Sequence, residues 1–538
     1  YIYFPTKITN DTLLPDMWNL SQISIPQAWE ISSGDPAVVV AVIDTGVLSN
    51  HPDLSGRAVH GYDFISRSDN TDGDGIDTDP EDSMLDIDTC DGRPAFYHGS
   101  HVAGTIGATG DNAEGIVGVS YSASLMHLRA LDGSCGGTTY DIVQAIRYSL
   151  GAPNDSGTIP DKPADIINMS LGGGPFDEYF SAAVNDAFES GVIVIAASGN
   201  TGGGVEYPAR YESVIGVGAS GFEGAVTSYS NKGVDLGLVA PGGDNVGGIL
   251  SLHKIDNEYT YTEGQGTSMA SPHVAGVVAL MKSIHPNLSP SRFRELIDFG
   301  LVTDDISDPG FDSDSGWGRV NAKKAVETAL ADANGSLRLP ARIVLSARQL
   351  YFDSGDISTS VSATNPGDMS LSLNSVTAST LPWVSISRTN TDSAGSVIGT
   401  WLISVDRANL SAGFYRGSVT FSGVDEEGTE VSSSLVLSMK VADDGEGDLG
   451  VIRVALFDAN TGASVWNSST SKSNDYSYRL GVPEQGEYRI VARTDTDNSG
   501  VKCGFGDYCG GGVEVLVEPT LLFDFRILRQ GDTAERVK

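Results

Sequence analysis

Two textures of hydrophobic spacing divide the chain. Over the first ~335 residues, short unbroken apolar runs alternate with segments of helical spacing. Val38–Ile43 is a β-branched run that ends in Asp44-Thr45-Gly46. Ser124–Ala130, Asp165–Met169, Val192–Ala197, Val214–Val217 and Leu236–Ala240 are of the same kind. Between them Asp141–Leu150, Ser181–Ser190, Ser268–Ile284 and Ser291–Asp298 carry the helical period, and Pro290 suits the first turn of the last one. Strands that are apolar throughout are covered on both faces. The pattern therefore predicts an α/β domain, a parallel sheet flanked by helices, over residues 1–335. In such sheets ligands bind beyond the carboxyl ends of the strands.

The texture changes near Ala333-Asn334-Gly335. Ser358–Ala363, Leu371–Val376, Gly399–Val405 and Gly417–Ser422 alternate with a period of two, Asn365-Pro366-Gly367 marks a turn, and helical periods vanish. This predicts an all-β sandwich over 336–445 that loosely resembles immunoglobulin-like modules. Trp383, Trp401, Phe414 and Tyr415 are expected in its core. Asp443-Asp444-Gly445-Glu446-Gly447-Asp448 reads as a linker. Alternation resumes in Val451–Phe457, Tyr476–Leu480 and Tyr488–Val491. This second β-domain, 446–538, resembles the prealbumin-like or carboxypeptidase-regulatory-like modules of secreted bacterial enzymes.

Charge removes whole classes of function. The 538 residues hold 33 Lys+Arg against 70 Asp+Glu, a formal net charge of −37. A broad basic surface for nucleic acid or anionic lipid is excluded. Apolar residues at 40% and dispersed acids mark a folded chain rather than a disordered one. No apolar run approaches the ~18 residues of a membrane span. The chain begins at Tyr1 without a visible signal peptide, and the expectation is a processed, secreted product. Cys90, Cys135, Cys503 and Cys509 allow three pairings. Separation along the chain favours Cys90–Cys135 and Cys503–Cys509; four free thiols are the alternative, and an extracellular setting favours disulfides.

Three segments carry candidate chemistry. Ala41-Val42-Ile43-Asp44-Thr45-Gly46 places an acid at the end of a buried strand. His98-Gly99-Ser100-His101-Val102-Ala103-Gly104-Thr105 supplies an imidazole. Gly266-Thr267-Ser268-Met269-Ala270-Ser271-Pro272-His273-Val274-Ala275-Gly276 opens a helix with a serine. Singly they read as a turn acid, a packing histidine and an N-cap. Together they are the parts for acyl transfer: a serine nucleophile, a base that titrates near neutrality, and a carboxylate that fixes its tautomer. In the order Asp…His…Ser, the three blocks resemble the signatures of the subtilisin-like serine peptidases over roughly residues 20–330.

The resemblance implies Asp44 as orienting acid, His98 as base and then acid, and Ser268 as nucleophile. Ser198-Gly199-Asn200 resembles the segment whose asparagine donates to the oxyanion, with the Ser268 N–H as second donor. Other histidines are expected to be structural, His101 and His273 by packing. The resemblance also implies a cleft in which an extended peptide adds between the edges Ser134-Cys135-Gly136-Gly137 and Ser170-Leu171-Gly172-Gly173. Glu206, before Tyr207-Pro208-Ala209, falls near the floor of the first-subsite (S1) pocket. There it selects a basic or polar-aromatic P1 side chain, or else it faces solvent or pairs with Arg210. Tyr207-Pro208 is a candidate cis peptide by the same resemblance.

Calcium is the implied metal. One set is Asp53, Asn112 and Glu114 with the carbonyls of Thr109 and Ile116. A second is the acidic stretch holding Asp63, Asp72, Asp74, Asp77, Asp79 and Asp82, for which a solvated insertion is the alternative. A third is the loop opening with Asp495 and Asp497, which also reads as a polar turn. Transition-metal spacing is missing. The expectation is thus a secreted, calcium-stabilised serine endopeptidase, a monomer acting on protein or peptide substrates. A binding role for the C-terminal domains toward insoluble matrix, and an inactive scaffold, are the competing readings.

Overall fold

The computed structural model describes residues 8–66, 75–82, 96–132, 136–307, 310–347, 349–352, 356–378, 381–390, 397–408, 410–411 and 413–441, and the strands named below beyond them. The chain divides into two compact units, Tyr1–Leu337 and Arg338–Lys538.

The first unit is the α/β domain. Its strands are β1 (Val39–Asp44), β2 (Ala58–Asp63), β3 (Ser124–Arg129), β4 (Ile166–Met169), β5 (Ile193–Ala197), β6 (Val214–Ser220), β7 (Leu236–Pro241), β8 (Ile249–Ile255), β9 (Glu258–Gly264), β10 (Thr303–Asp304) and β11 (Arg319–Val320). Its helices are α1 (Trp18–Gln22), α2 (Ile25–Ala28), α3 (His98–Gly107), α4 (Thr139–Ser149), α5 (Glu178–Glu189), α6 (Thr267–Ile284), α7 (Pro290–Asp298) and α8 (Ala322–Ala333). Nine strands form one sheet in the order β10-β11-β7-β6-β5-β4-β1-β3-β2, parallel except for the β10–β11 pair. The apolar runs read from the sequence become its centre. Every residue of β1, β4, β5 and β6 is buried, as strands covered by helices on both faces must be.

The helices start where local chemistry lets them. The Asp177 side chain caps α5 by accepting the Phe180 N–H at 2.8 Å, and Ser289 caps α7 by accepting the Arg292 N–H at 3.1 Å ahead of Pro290. β8 and β9 form a hairpin that pairs Ile255 with Glu258 across Asp256-Asn257, both left-handed at φ 50° and 67°. That is the two-residue turn whose twist suits a hairpin.

Burial also sets the acid response of this unit. His101, His127 and His273 are at most 2% exposed, and burial pushes them down to about 3, 4 and 4. The unfolded chain binds protons at these sites below pH 6.5 and the folded chain does not, so stability falls as pH drops from 6.5 towards 4. Each site contributes on the order of 1.4 kcal/mol per pH unit in that window. We expect circular dichroism to show cooperative unfolding before pH 4. His127, neither of whose ring nitrogens has a hydrogen-bond partner, is the natural test: His127→Leu should move the acid midpoint downward, and an unmoved midpoint would refute the assignment.

In the second unit β12 (Val344–Leu345), β14 (Ser358–Thr364), β17 (Val397–Val405) and β16 (Val384–Asn390) form one sheet. β13 (Gln349–Phe352), β19 (Glu430–Val441), β18 (Gly413–Asp425) and β15 (Leu371–Ala378) form another. Their inner faces share one core, with Trp401 edge-on to Phe421 at 5.2 Å. Trp383 lies in this core. Phe414 does not: it is 52% exposed, because the inward residues of β18, Val419 and Phe421, lie on the opposite face of the pleat. A further sheet runs β21-β20-β22-β23 over Ser464–Thr470, Ile452–Asp458, Gly486–Thr494 and Val513–Val517, with Asp524–Phe525 pairing Arg536–Val537 apart from it.

Candidate active site

The carboxyl ends of adjacent strands deliver the polar residues. Asp44 is the last residue of β1, Ser170 follows β4 and Asn200 follows β5. Two helices close the site. Ile106, near the end of α3, meets Gly276 half-way along α6, while Gly264, just before α6, meets His101 and Phe96 at the start of α3. The two helices therefore run side by side with their N-termini, and so His98 and Ser268, at the same end. Gly99 makes this approach possible. A Cβ there would lie 2.2 Å from the Gly46 carbonyl oxygen, so only glycine lets α3 start against the end of β1.

His98 Nδ1–H donates to Asp44 Oδ1 at 2.7 Å, with Asp44 1% and His98 20% exposed. Asp44 Oδ1 also accepts the Thr45 N–H at 2.8 Å. This fixes the tautomer in which His98 Nε2 is unprotonated and able to accept a proton. Burial by itself would lower the imidazole pKa. The Asp44 carboxylate and its hydrogen bond, with Asp82 behind, outweigh it and hold His98 above its ordinary 6.5. Asp82, 6% exposed, accepts from Thr45 Oγ1 at 2.8 Å, and Thr45 Oγ1 accepts the Gly99 N–H at 3.0 Å. A second carboxylate thus backs the first through one threonine and the first turn of α3.

Ser268 sits in the first turn of α6, where backbone N–H groups lack helical partners. Its carbonyl lacks one too, because the residue four positions on, Pro272, has no N–H. The Ser170 hydroxyl replaces it, donating to the Ser268 carbonyl at 2.8 Å. Ser170 in turn accepts from Asn168 Nδ2 at 3.0 Å, and Asn168 Oδ1 accepts from Ser271 Oγ at 2.5 Å. Asn200 is held by its oxygen: Oδ1 accepts the Thr267 N–H at 2.8 Å and the Thr267 hydroxyl at 3.0 Å. Its amide nitrogen is the end left to donate into the cleft.

The arrangement holds the parts for acyl transfer to a serine, and comparison names a family. Residues 35–318 match the subtilase family. The chain belongs to that family. It is 38% identical over 345 residues to an extracellular protease of Xanthomonas campestris, covering 61% of this chain and 58% of that one. It is 35% identical to an extracellular basic protease of Dichelobacter nodosus, covering 62% and 58%, and 37% identical to thermitase of Thermoactinomyces vulgaris, covering 57% and 94%. A solved protease structure from Pseudoalteromonas arctica aligns with TM-score 0.55 at 35% identity, covering 60% of this chain and 100% of that one. The matched region thus spans about three fifths of the first two relatives.

The residues expected to border a substrate cleft lie as follows. Gly172 and Gly199 face the Glu206 carboxylate: a Cβ on either would lie 3.4 and 2.8 Å from Glu206 Oε2. Gly199, at φ 109°, also lies against Asn231 Nδ2, a fully buried amide without a hydrogen-bond partner. Arg210 pairs with Asp235 at 3.3 Å and stacks over Tyr207, so Glu206 is not its partner. Tyr207-Pro208 is cis. The Gly173 N–H donates to the Tyr207 carbonyl at 3.0 Å, which ties Leu171 and its edge to the Glu206 loop. On the other edge Gly136 closes a turn with Asp132, ahead of Gly137; residues 133–135 lie outside the described ones.

Of the calcium candidates, Asp53, Asn112, Glu114, Thr109 and Ile116 come together. Asp53 Oδ1 accepts Asn112 Nδ2 at 2.8 Å, Asp53 Oδ2 accepts the Ile116 N–H at 2.9 Å, and the Thr109 N–H donates to the Asp53 carbonyl at 2.7 Å. Glu114 N–H donates to Asn112 Oδ1 at 3.0 Å, and Tyr261 adds its hydroxyl to Asp53. His51, 1% exposed, accepts the Asp53 N–H at 3.2 Å. In the acidic stretch Asp63 is engaged by Arg129, both 1% exposed, and by the Ile65 N–H at 2.7 Å. Asp77 and Asp79 accept backbone N–H groups two residues on, and Asp82 serves Thr45. Among the described residues no group of three or more His, Cys, Asp or Glu side chains is placed to hold a metal. Asp72, Asp74, Asp495, Asp497 and all four cysteines lie outside the described residues.

Sequence reasoning assigned Asp82 to a metal set and passed over Thr45, Thr267 and Asn231. Thr267 had a signal, since it immediately precedes Ser268, the expected nucleophile. Thr45 and Asp82 stand on separate segments, and nothing local links them.

Proposed function

We propose that the protein is a secreted serine endopeptidase that hydrolyses extended polypeptides through an acyl-enzyme on Ser268. The His98–Asp44 hydrogen bond beside the Ser268 helix start is the observation that carries this. Ser268 Oγ attacks the scissile carbonyl as His98 Nε2 takes its proton. The oxyanion that forms meets Asn200 Nδ2 and the Ser268 N–H. His98 then gives the proton to the leaving amine, and water hydrolyses the ester by the same route. Secretion is supported by relatives that are named extracellular proteases. No helix among the described residues is long and apolar enough to cross a membrane.

The S1 floor suits a cationic side chain. Glu206 supplies a carboxylate between Gly172 and Gly199, and no arginine neutralises it by salt bridge among the described residues. We expect a peptide library to show cleavage after Lys and Arg. Glu206→Gln should lower kcat/KM for those peptides by about tenfold to a hundredfold relative to peptides with P1 Phe. An unchanged ratio would remove Glu206 from the pocket.

Calcium fits the Asp53 cluster by donor chemistry: hard oxygens from Asp53, Asn112, Glu114 and the carbonyls of Thr109 and Ile116, with Asp11 holding the same loop through the Asp111 N–H at 3.2 Å. Holding a cation there requires the Asn112 amide to turn its oxygen towards Asp53. The ion would supply charge neutralisation and pin the loop to the 51–53 turn. Chelation is expected to lower the thermal midpoint by a few degrees, about 2–4 °C per kcal/mol of lost binding. Asp53→Asn should remove that dependence. A midpoint indifferent to chelator in the parent protein would argue that this cluster stands without metal.

A further inference from the structure

We propose that Tyr140 and Tyr179 form a fixed aromatic platform at the far end of the substrate cleft. It would stack on a proline or aromatic ring of the substrate polypeptide, five or more residues before the scissile bond. The proposal rests on the peptide-hydrolysis reading above.

The two rings lie parallel to within 18° at 6.3 Å, yet are 45% and 36% exposed. Exposed tyrosines usually lack a fixed partner; both of these are tethered through their hydroxyls. The Tyr140 hydroxyl donates to Asp155 Oδ2 at 2.5 Å. Gln144 Nε2 donates to the Tyr179 hydroxyl at 3.1 Å, and Gln144 Oε1 accepts the Asp155 N–H at 3.0 Å. The Arg147 guanidinium lies 5.4 Å from the Tyr179 ring centre. One glutamine thus ties both tethers together, and ordering two exposed rings in advance removes an entropy cost from binding.

Their place in the fold names the occupant. Tyr140 lies in the first turn of α4, directly after the edge that ends at Gly137. Tyr179 lies in the first turn of α5, six residues beyond the Gly173 that ends the second edge. The second edge begins at the nucleophile, because the Ser170 hydroxyl holds the Ser268 carbonyl. Each residue forward along it moves away from the scissile bond by up to ~3.3 Å, so its four residues span about four substrate positions. Gly172, which faces Glu206 across the expected S1 pocket, belongs to this edge, so the direction is towards the substrate's N-terminal side. A peptide that leaves the cleft there passes the two tyrosines in an extended conformation. Proline and aromatic rings stack on such faces at small conformational cost.

The test uses peptides that share residues P4–P1 and a chromogenic leaving group. One stops at P4. The others carry four more residues, all alanine or alanine with a single Pro or Trp at P5, P6, P7 or P8. The full-length protein should cleave at least one ring-bearing peptide with kcat/KM about fivefold to tenfold above the all-alanine long peptide, through KM. In Tyr140→Ala/Tyr179→Ala that ratio should fall to about one. In Tyr140→Phe/Tyr179→Phe it should largely persist. Equal kcat/KM for ring-bearing and all-alanine peptides, or a gain that survives the double alanine change, overturns the platform. So does a soluble oligosaccharide that quenches the platform tyrosines while no ring effect is seen. Failure of the unaltered protein to cleave even the P4 peptide overturns the hydrolytic reading itself, which separates the two failures.

Discussion

Ser268→Ala is expected to lower kcat roughly a million-fold, with kcat/KM falling equally, because the interaction lost exists only in the transition state. The variant should still exceed the rate in water, since Asn200 and the backbone N–H at position 268 remain to meet an oxyanion. Asp44→Asn should cost about 10⁴ in kcat. An asparagine can donate to Nδ1 and so select the wrong tautomer, in which Nε2 carries the proton and cannot act as base. The pH profile tests the same geometry from another side. His98 must be neutral to accept the serine proton, and Asp44 holds its pKa above 6.5. Activity should therefore rise with pH through a titration above 6.5 and reach its plateau on the alkaline side. Stopped assays on one peptide, with active-site titration to count competent molecules, decide the matter. Retention of even one per cent of parental kcat in Ser268→Ala would mean that another group is the nucleophile.

The residues assigned to the chemistry are legible because each lies in a short segment whose neighbours are also constrained. Asp44 ends an apolar run that can only be a buried strand. His98 precedes Gly99, which the closeness of Gly46 requires. Ser268 is followed by Pro272, which frees its carbonyl for Ser170. Strands β1 and β3 to β7 fall where the apolar runs place them, β5 at Ile193–Ala197 against an expected Val192–Ala197. What escapes is whatever depends on distant segments meeting. The β8–β9 hairpin shows alternation only in Leu252 to Tyr261, and its Asp256-Asn257 turn is the one local signal for it. Helix α5 starts at Glu178 rather than Ser181 because Asp177 caps it. The Asp82 support of Thr45 bridges segments separated by a strand and a loop, and an acidic stretch offers many carboxylates that look alike. Charge pattern alone therefore assigns Asp63 and Asp82 to a cation, and it does not reveal that Arg129 engages the first and Thr45 the second.

Asn200→Leu should lower kcat by about 10² to 10³ and leave KM nearly unchanged. The substrate carbonyl is neutral and bonds weakly; the tetrahedral oxyanion carries full charge in a site partly shielded from water, so the amide N–H counts mainly after attack. The value of this donor depends on its orientation. An asparagine amide can present either end, and the oxygen end would repel the oxyanion. Thr267 prevents this by engaging Oδ1 twice, through its N–H at 2.8 Å and its hydroxyl at 3.0 Å, while Thr267 Oγ1 accepts the Gly199 N–H at 3.2 Å. Removing the hydroxyl in Thr267→Val loosens the amide without touching substrate. A kcat loss smaller than that of Asn200→Leu follows, with the backbone N–H of residue 267 still in place. Asn200→Asp is the sharper variant: nearly the same shape, but a carboxylate where the oxyanion must form, so its kcat should fall below that of Asn200→Leu. Steady-state kinetics of the three variants on one peptide separate these contributions. If Asn200→Asp were as active as the parent, the oxyanion would have to be held by other donors, and the Ser268 N–H would stand alone as the assigned one.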